Sequence, residues 1–283
     1  MDNPSEIRRR IKTVRGIEHI TRAMMMVSAA RAKRATQIIL SALPYAIRMR
    51  RLLRTIVLHA PQAHHDLLRP HELGRDLYLV FTGERGMCGS CNIAVIKEWE
   101  RHRQATRAES DVIAIGRWGI DHLRNRQVKM LHTYPAISKE ALFDEMRIVA
   151  ARVMDLYREN NYHSVYLVYS RFINTLSHKV VTFKLLPFEL DGETGGEPLG
   201  EWDFEPSPQG MFDYLLPKYV STQLAAAYLD SRASEFSARM VAMDTATRNA
   251  EELIGKLVLQ YNRARQAEIT QEIAELVGGS QQL

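Results

Sequence analysis

The sequence predicts an α/β protein in which two long terminal helices flank a segment of alternating strands and helices. Apolar or small residues recur at spacings of three and four through both terminal arms, which is the heptad pattern of a coiled coil. Between the arms, short apolar runs alternate with amphipathic stretches, which is typical of strands connected by helices. With 46% hydrophobic residues, 25% charged residues and 2 cysteines, the composition excludes long disorder and a disulfide-based scaffold.

The first arm, residues 1–58, is predicted to be a helix whose apolar seam runs from Ile7 to Ile56. The seam becomes polar at Glu18, Thr21 and Ser28, and a neighbouring stripe is more apolar there. That stripe consists of Ile17, Ile20, Met24 and Val27. Pro44 lacks a backbone donor, so we expect the helix to kink or break near this position.

The middle segment, residues 59–209, is predicted to contain four strands and at least two helices. The strands are expected at Leu77–Phe81, Val112–Ile115, Ser164–Tyr169 and Val180–Leu186, with helices at Ile93–His102 and Lys139–Glu159. Because strands and helices alternate, we expect an at least partly parallel sheet with helices on its faces. The stretch Leu190–Gln209 is rich in Gly, Pro and acidic residues and is predicted to be a loop.

The last arm, residues 210–283, carries a seam from Ala226 to Ala264 in which only Thr247 is polar. We expect a helix from about 218 to 277 that ends at Gly278 and Gly279. At 1.5 Å per residue such a helix would span roughly 90 Å, which exceeds the width of a compact domain. Its seam therefore needs a long partner.

The two arms are expected to bury their seams on each other as an antiparallel coiled coil. The alternative is that each arm pairs with the same arm of another copy. Intramolecular pairing requires residues 59–209 to fold back as a compact unit. The predicted domains are accordingly an N-terminal helix (1–58), an α/β domain (59–209) and a C-terminal helix (210–283).

Positive charge is concentrated on the first arm, which holds 13 Lys and Arg against 3 Asp and Glu, although the whole chain is only +5. Such an arm attracts nucleic acid, anionic lipid or an acidic protein surface, and charge alone does not choose among them. The cationic residues share their helix with Ile17, Ile20 and Val27. On nucleic acid, these apolar side chains would be left facing water or phosphate. This combination favours a protein groove with apolar and acidic walls over DNA. The alternative function is that of a basic coiled-coil protein that binds nucleic acid or serves as a scaffold.

The segment Thr82–Asn92 follows a predicted strand and opens a helix, which is where a phosphate-binding loop would lie. Its glycine spacing fits neither common nucleotide-binding motif, and no lysine follows. We interpret it as a tight structural turn. Cys88 and Cys91 form a C-x-x-C pair within it, for which a structural role is favoured over redox chemistry.

No catalytic residue, cofactor site or metal site is predicted. The histidines of residues 59–71 lack the spacing of metal ligands, and no nucleophile elbow or paired carboxylates are recognisable.

Several segments, in order along nearly the whole chain, closely resemble the gamma subunit of F-type ATP synthases. They are Ile7–Val14, Ile20–Ala30, Arg85–Gly89, Phe172–Thr175, Ser237–Met243 and, most strongly, Tyr261–Ile273 (YNRARQAEITQEI).

The resemblance implies a rotor shaft: the antiparallel coiled coil of the two arms turning inside a ring of alpha and beta subunits. It implies a Rossmann-like α/β domain between the arms that contacts the epsilon subunit and the membrane c-ring. Catalysis would take place on the beta subunits, so this chain would be a non-catalytic part of an ion-translocating complex. No membrane-spanning run or secretory signal is recognisable, so we expect a peripheral location at the cytoplasmic face of the bacterial inner membrane.

The resemblance also implies which residues contact the ring. Arg22 and Met24 match a segment that faces the beta subunits. Positions implicated in ring contact and coupling are matched by Arg239, Arg265, Gln266, Thr270 and Glu272. The alternative for each is an ordinary position on a helix surface.

Overall fold

In the computed structural model of the chain, the described residues are 3–60, 62–71, 74–106, 108–138, 141–159, 162–189, 203–205 and 207–280. The helices are α1 (Pro4–His59), α2 (Cys91–Thr106), α3 (Arg117–Asn125), α4 (Leu142–Arg158) and α5 (Pro208–Ser280). The strands are β1 (Arg75–Phe81), β2 (Ser110–Ile115), β3 (His132–Tyr134), β4 (Tyr162–Phe172) and β5 (His178–Leu186). A short 3₁₀ helix covers Asp66–Leu68.

The five strands form one sheet in the order β3-β2-β1-β4-β5. The first four strands are parallel to one another, and β5 pairs antiparallel with β4. The parallel strands are connected through α2, α3 and α4, as parallel pairing requires. The expected α/β fold with a parallel-rich sheet and long terminal helices is confirmed.

Both faces of the sheet are buried, which is why its central strands are almost continuously apolar. Tyr78 and Val80 of β1 face a cluster with Ile96 and Trp99 of α2 and with Leu123 of α3. The opposite face belongs to a larger core that includes residues of α1, α4 and α5. Representatives of that core are Leu53, Ile56, Leu79, Val153, Leu167, Leu216 and Leu224.

Packing divides the chain into two units, and the boundaries fall inside the long helices. One unit comprises the residues up to Ala29 and from Arg239 onward, and the other runs from Ala30 to Ala238. We call the first the helix-pair unit and the second the sheet unit. Within the sheet unit, Ala32 and Ala35 of α1 pack against Ala233 and Phe236 of α5.

The long helices differ from expectation in three places. Of the two effects expected of Pro44, a kink or a break, the break does not occur, because α1 is continuous through this residue. Helix α5 begins at Pro208 and contains Pro217, since Leu216 and Tyr219 are buried in the core on either side of it. Burial of this kind outweighs the roughly 3 kcal/mol that an internal proline costs a helix. At the other end, α5 passes through the two glycines expected to end it and stops at Ser280.

The smaller elements are mostly confirmed, although the strands are longer than predicted. Helix α3, strand β3 and the 3₁₀ helix were not predicted, because elements of nine residues or fewer provide little periodicity. Most of the predicted loop at Leu190–Gln209 lies outside the described residues, and its last two residues belong to α5.

Asp230 of α5 gives the sheet unit a defined pH dependence. Burial raises the pKa of its carboxyl from 3.8 to about 6, although Arg171 and the backbone N–H of Phe172 favour the ionised form. The folded chain therefore holds this proton more tightly than the unfolded chain does. The resulting contribution to stability is lost as the pH rises from about 4 to about 6.

Replacing Asp230 with Asn should remove that loss. When the pH is raised from 4 to 7, the wild type should lose on the order of 2 kcal/mol more of its free energy of unfolding than Asp230→Asn does. Urea denaturation of the full chain at both pH values measures the difference. Parallel pH dependence in the two proteins would contradict the assignment.

Candidate partner-binding surface of the helix-pair unit

The helix-pair unit is held together by an antiparallel seam between α1 and α5. Ile7 and Ile11, near the start of α1, are buried against Leu257, near the end of α5. Partly buried residues around them are Val14, Val258, Tyr261 and Ala264. Further along α1, Thr21 lies opposite Thr247, which shows that the two helices run in opposite directions. Pairing of the arms within one chain is therefore favoured over pairing between copies.

The polar interruption of the first seam proves to be part of the contact. Glu18, Thr21, Ser28 and Thr247 are all buried, whereas three of the four residues of the competing apolar stripe, Ile17, Ile20 and Val27, are exposed. The hydroxyl oxygens of Thr21 and Thr247 are 2.8 Å apart, within hydrogen-bond distance across the seam. Each hydroxyl also lies near a carbonyl of its own helix, Thr21 at 3.0 Å from Glu18 O and Thr247 at 2.8 Å from Met243 O. A polar pair at a seam position favours one register of the two helices, because a shift would place these hydroxyls opposite apolar side chains.

Arg22 lies at the edge of this seam and joins the two helices by ion pairs. Its Nη2 atom is 2.7 Å from Glu18 Oε1 and 2.5 Å from Glu251 Oε1. The Arg22 side chain is 44% exposed and that of Glu251 is 50% exposed, so both remain accessible to a partner. The Glu18 side chain, by contrast, is only 10% exposed.

An exposed apolar stripe runs along α1 beside Arg22. Ile17, Ile20 and Val27 are 49%, 62% and 51% exposed, and Met26 is also exposed. Met24, one of the predicted contact residues, is half-buried. A row of large exposed apolar side chains on one helix face marks an interaction surface.

Arg239 is in a different position from the other predicted site residues. It is buried, with 7% of its surface exposed, where α5 enters the helix-pair unit. The burial of Arg239 was not predictable from the sequence, because a charged residue on a helix is expected to face solvent.

The remaining predicted residues lie on the last stretch of α5. Arg265, Gln266, Thr270 and Glu272 are all exposed, and the Thr270 hydroxyl donates to the Gln266 carbonyl at 2.8 Å. Ala264 is the last residue of α5 in the cluster around Ile7. From Arg265 to Ala274, nearly all described side chains are exposed, including Ile269 and Ile273. The structure thus provides a helix end whose apolar and charged side chains are available to partners.

The glycine-rich segment at Thr82–Asn92 is a tightly bonded turn. The Asn92 amide accepts from the Gly83 N–H at 2.8 Å and donates to the Arg85 carbonyl at 3.3 Å. Cys88 and Cys91 are buried and are not joined in a disulfide. This geometry supports the interpretation as a structural turn.

The described parts of the chain contain no group of three or more His, Cys, Asp or Glu side chains arranged to hold a metal ion. Among the same residues, no helix has the length and apolarity needed to cross a membrane.

Comparison with known proteins decides the family. The family model described as ATP synthase matches residues 3–283. The ATP synthase gamma chain of Pelotomaculum thermopropionicum is 39% identical over 280 residues, covering 99% of this chain and 99% of the relative. The chain belongs to the ATP synthase gamma chain family. A gamma chain from Heliobacterium modesticaldum, 38% identical over 289 residues, covers 99% of both proteins.

A solved structure agrees with the fold. A chain in the rotor of the Euglena gracilis mitochondrial ATP synthase superposes with a TM-score of 0.65 at 19% identity. The match covers 94% of this chain and 98% of that one. The family resemblance inferred from the sequence is confirmed, and the alternative of a nucleic-acid-binding or scaffold protein finds no support in these comparisons.

The ion pair between Arg22 and Glu251 should contribute little to stability. Glu251→Gln is expected to lower the free energy of unfolding by less than about 1 kcal/mol, because this ion pair is half-exposed on both sides and therefore well solvated. Leu257→Ala, which removes a buried side chain from the seam, should cost about 2 to 5 kcal/mol. Urea denaturation of the full chain compares the two variants. Equal losses would show that the pair of Arg22 and Glu251 is primarily structural.

Proposed function

We propose that this chain is the central-stalk subunit of a rotary ATP synthase and transmits torque to and from the catalytic ring. The match to ATP synthase gamma chains over 99% of its length carries this proposal. The antiparallel helix pair, with an exposed end on α5, supports it as the part that turns inside the alpha and beta subunits. The family assignment supports ATP synthesis or hydrolysis as the reaction of the whole complex.

The proposed role depends on asymmetry. Three equivalent catalytic sites in a ring can be held in different states only by an element that lacks threefold symmetry. Two paired helices with different side chains provide such an element. Shifting one site between states from 1:99 to 99:1 requires about 5.5 kcal/mol of differential contact. A few charge-assisted hydrogen bonds of about 1.5 to 3 kcal/mol each are sufficient.

The exposed residues divide into two roles. The charged residues Arg22, Arg265 and Glu272 would set the angular preference of the shaft, because their hydrogen bonds to the ring depend on geometry. Met24 and the apolar stripe beside it would provide a contact with little angular preference, because apolar contacts are not directional. Gln266 and Thr270 lie beside Arg265 on the exposed end and would add hydrogen bonds to the ring. Arg239 would act from its buried position by fixing the shape of α5.

The α/β domain would contact the epsilon subunit and the membrane c-ring, and thereby receive torque driven by ion flow. This places the chain at the membrane as a peripheral subunit, on the cytoplasmic face of the bacterial inner membrane. Catalysis would belong to the beta subunits, with no cofactor or metal required from this chain. We retain the division into residues 1–58, 59–209 and 210–283 as the functional division between shaft and α/β domain.

Removal of residues 265–283 tests the role of the exposed helix end. The truncation leaves the cluster around Ile7 intact, since Ala264 is the last α5 residue in that cluster. After reconstitution with alpha and beta subunits and the c-ring, we expect loss of coupling or of assembly. ATP hydrolysis and ATP-driven ion pumping into vesicles are the measurements.

Point variants on the same helix serve as controls. Glu272→Gln should weaken coupling, whereas Glu252→Gln should not, because Glu252 is exposed and pairs with Lys256 on its own helix. Full coupled activity of the truncated chain would contradict the proposed contact residues. Failure of the unmodified chain to support coupled activity would contradict the proposed function itself.

A further inference from the structure

One place in the sheet has the topology of a ligand site but is occupied by α5. From β1 the chain builds β2 and β3 on one side and then returns to place β4 on the other side of β1. The carboxyl ends of β1 and β4 therefore flank the position where strand order reverses. Ligands of α/β proteins bind in the crevice at this position.

Two serines of α5 bind the ends of these strands directly. The Ser231 hydroxyl donates to the carbonyl of Phe81, the last residue of β1, at 3.4 Å. The Ser234 hydroxyl donates to the carbonyl of Ser170 in β4 at 3.0 Å. Both serines are buried. Helix α5 is thus hydrogen-bonded to both sides of the crevice by side chains one turn apart.

Glu235 fills the crevice beside the turn that follows β1. Its side chain is 2% exposed and lies so close to Gly83 that a Cβ atom there would be 2.5 Å from Glu235 Cδ. No residue other than glycine fits at 83 without displacing the carboxylate. Glu235 and the turn at Gly83 therefore fit each other sterically.

Arg232 links this carboxylate to the turn. Its Nη1 atom is 2.9 Å from Glu235 Oε2 and 3.3 Å from Glu84 Oε1, and its guanidinium lies over the Phe236 ring at 4.7 Å. Arg232 is largely buried, with 13% of its side chain exposed, so these contacts are weakly screened.

The turn itself is held in place by α2 and α3. The Gly83 N–H donates to Asn92 Oδ1 at 2.8 Å, and the Gly83 carbonyl accepts from the Trp118 N–H at 3.1 Å. A rigid turn cannot follow a rotation of the helix that it contacts. Two carboxylates at this position also oppose the binding of a phosphate group.

We propose that this crevice is a joint that prevents α5 from turning about its own axis relative to the sheet, so that torque passes between the α/β domain and the shaft. The α5 joint comprises six residues: Gly83, Glu84, Ser231, Arg232, Ser234 and Glu235. Apolar packing alone resists separation but tolerates sliding, whereas hydrogen bonds, an ion pair and a steric fit are directional. The proposal rests on the rotor function proposed above and names the residues within this chain that make it effective.

The test uses the complete complex, reconstituted with alpha and beta subunits and the c-ring. Gly83→Ala and Glu235→Ala are made singly and together, and Ser231→Ala/Ser234→Ala provides a milder variant. ATP hydrolysis and ion pumping per ATP hydrolysed are measured in vesicles, and torsional stiffness is measured by single-molecule rotation. Glu252→Gln, on an exposed part of α5, is the matched control.

We expect both single variants to hydrolyse ATP while pumping fewer ions per ATP, with lower torsional stiffness. The double variant should be no worse than the poorer single variant, because alanine at 235 makes room for alanine at 83. The serine pair should lower stiffness while assembling normally, since each substitution removes one hydrogen bond and leaves the apolar packing of α5 in place.

Wild-type stiffness and ion pumping in the assembled serine variant would overturn the proposal, as would additive effects of the Gly83 and Glu235 substitutions. Either result, obtained with a wild-type chain that supports coupled pumping, would refute the joint and leave the rotor function standing. If the wild-type chain itself does not support pumping, the rotor function is what fails.

Discussion

The antiparallel burial of one helix against another is the constraint on which the rest of this structure depends. Each long helix carries an apolar seam that water would otherwise surround. In the helix-pair unit the seam is closed by Ile7 and Ile11 against Leu257, and in the sheet unit by alanines of α1 against Ala233 and Phe236. Small side chains let the backbones approach closely. Once the seams are closed, the charged and apolar residues left outside become available to partners.

Much of this fold follows from periodicity in the sequence. The long helices and four of the five strands have patterns strong enough to predict, because burial on one or two faces imposes a period. The rest depends on contacts between residues distant in sequence. Pro217 lies inside α5 because buried neighbours hold the helix there, and no local signal indicates that. Similarly, β3 contains only three residues and is defined by its pairing with β2.

The candidate contact residues could be predicted from the sequence, but contacts within the chain could not. The resemblance to gamma chains singled out Arg265 and Glu272, and both prove to be exposed, while their contact with the ring is a proposal. It did not identify Glu235 or Gly83 as contacts of one another, since they are about 150 positions apart and each alone has an ordinary interpretation. A buried carboxylate beside a glycine becomes evident only once the sheet and α5 are placed together.

The central claim is that α1 and α5 of one chain pair antiparallel and turn as a single body. Thr21 and Thr247 meet at this seam, so the double variant Thr21→Cys/Thr247→Cys tests it in the assembled complex. Oxidation followed by non-reducing electrophoresis and a rotation assay, with each single variant as control, is the measurement. We expect an intrachain crosslink with rotation retained. Absence of the crosslink, or its formation only between two copies, would contradict it.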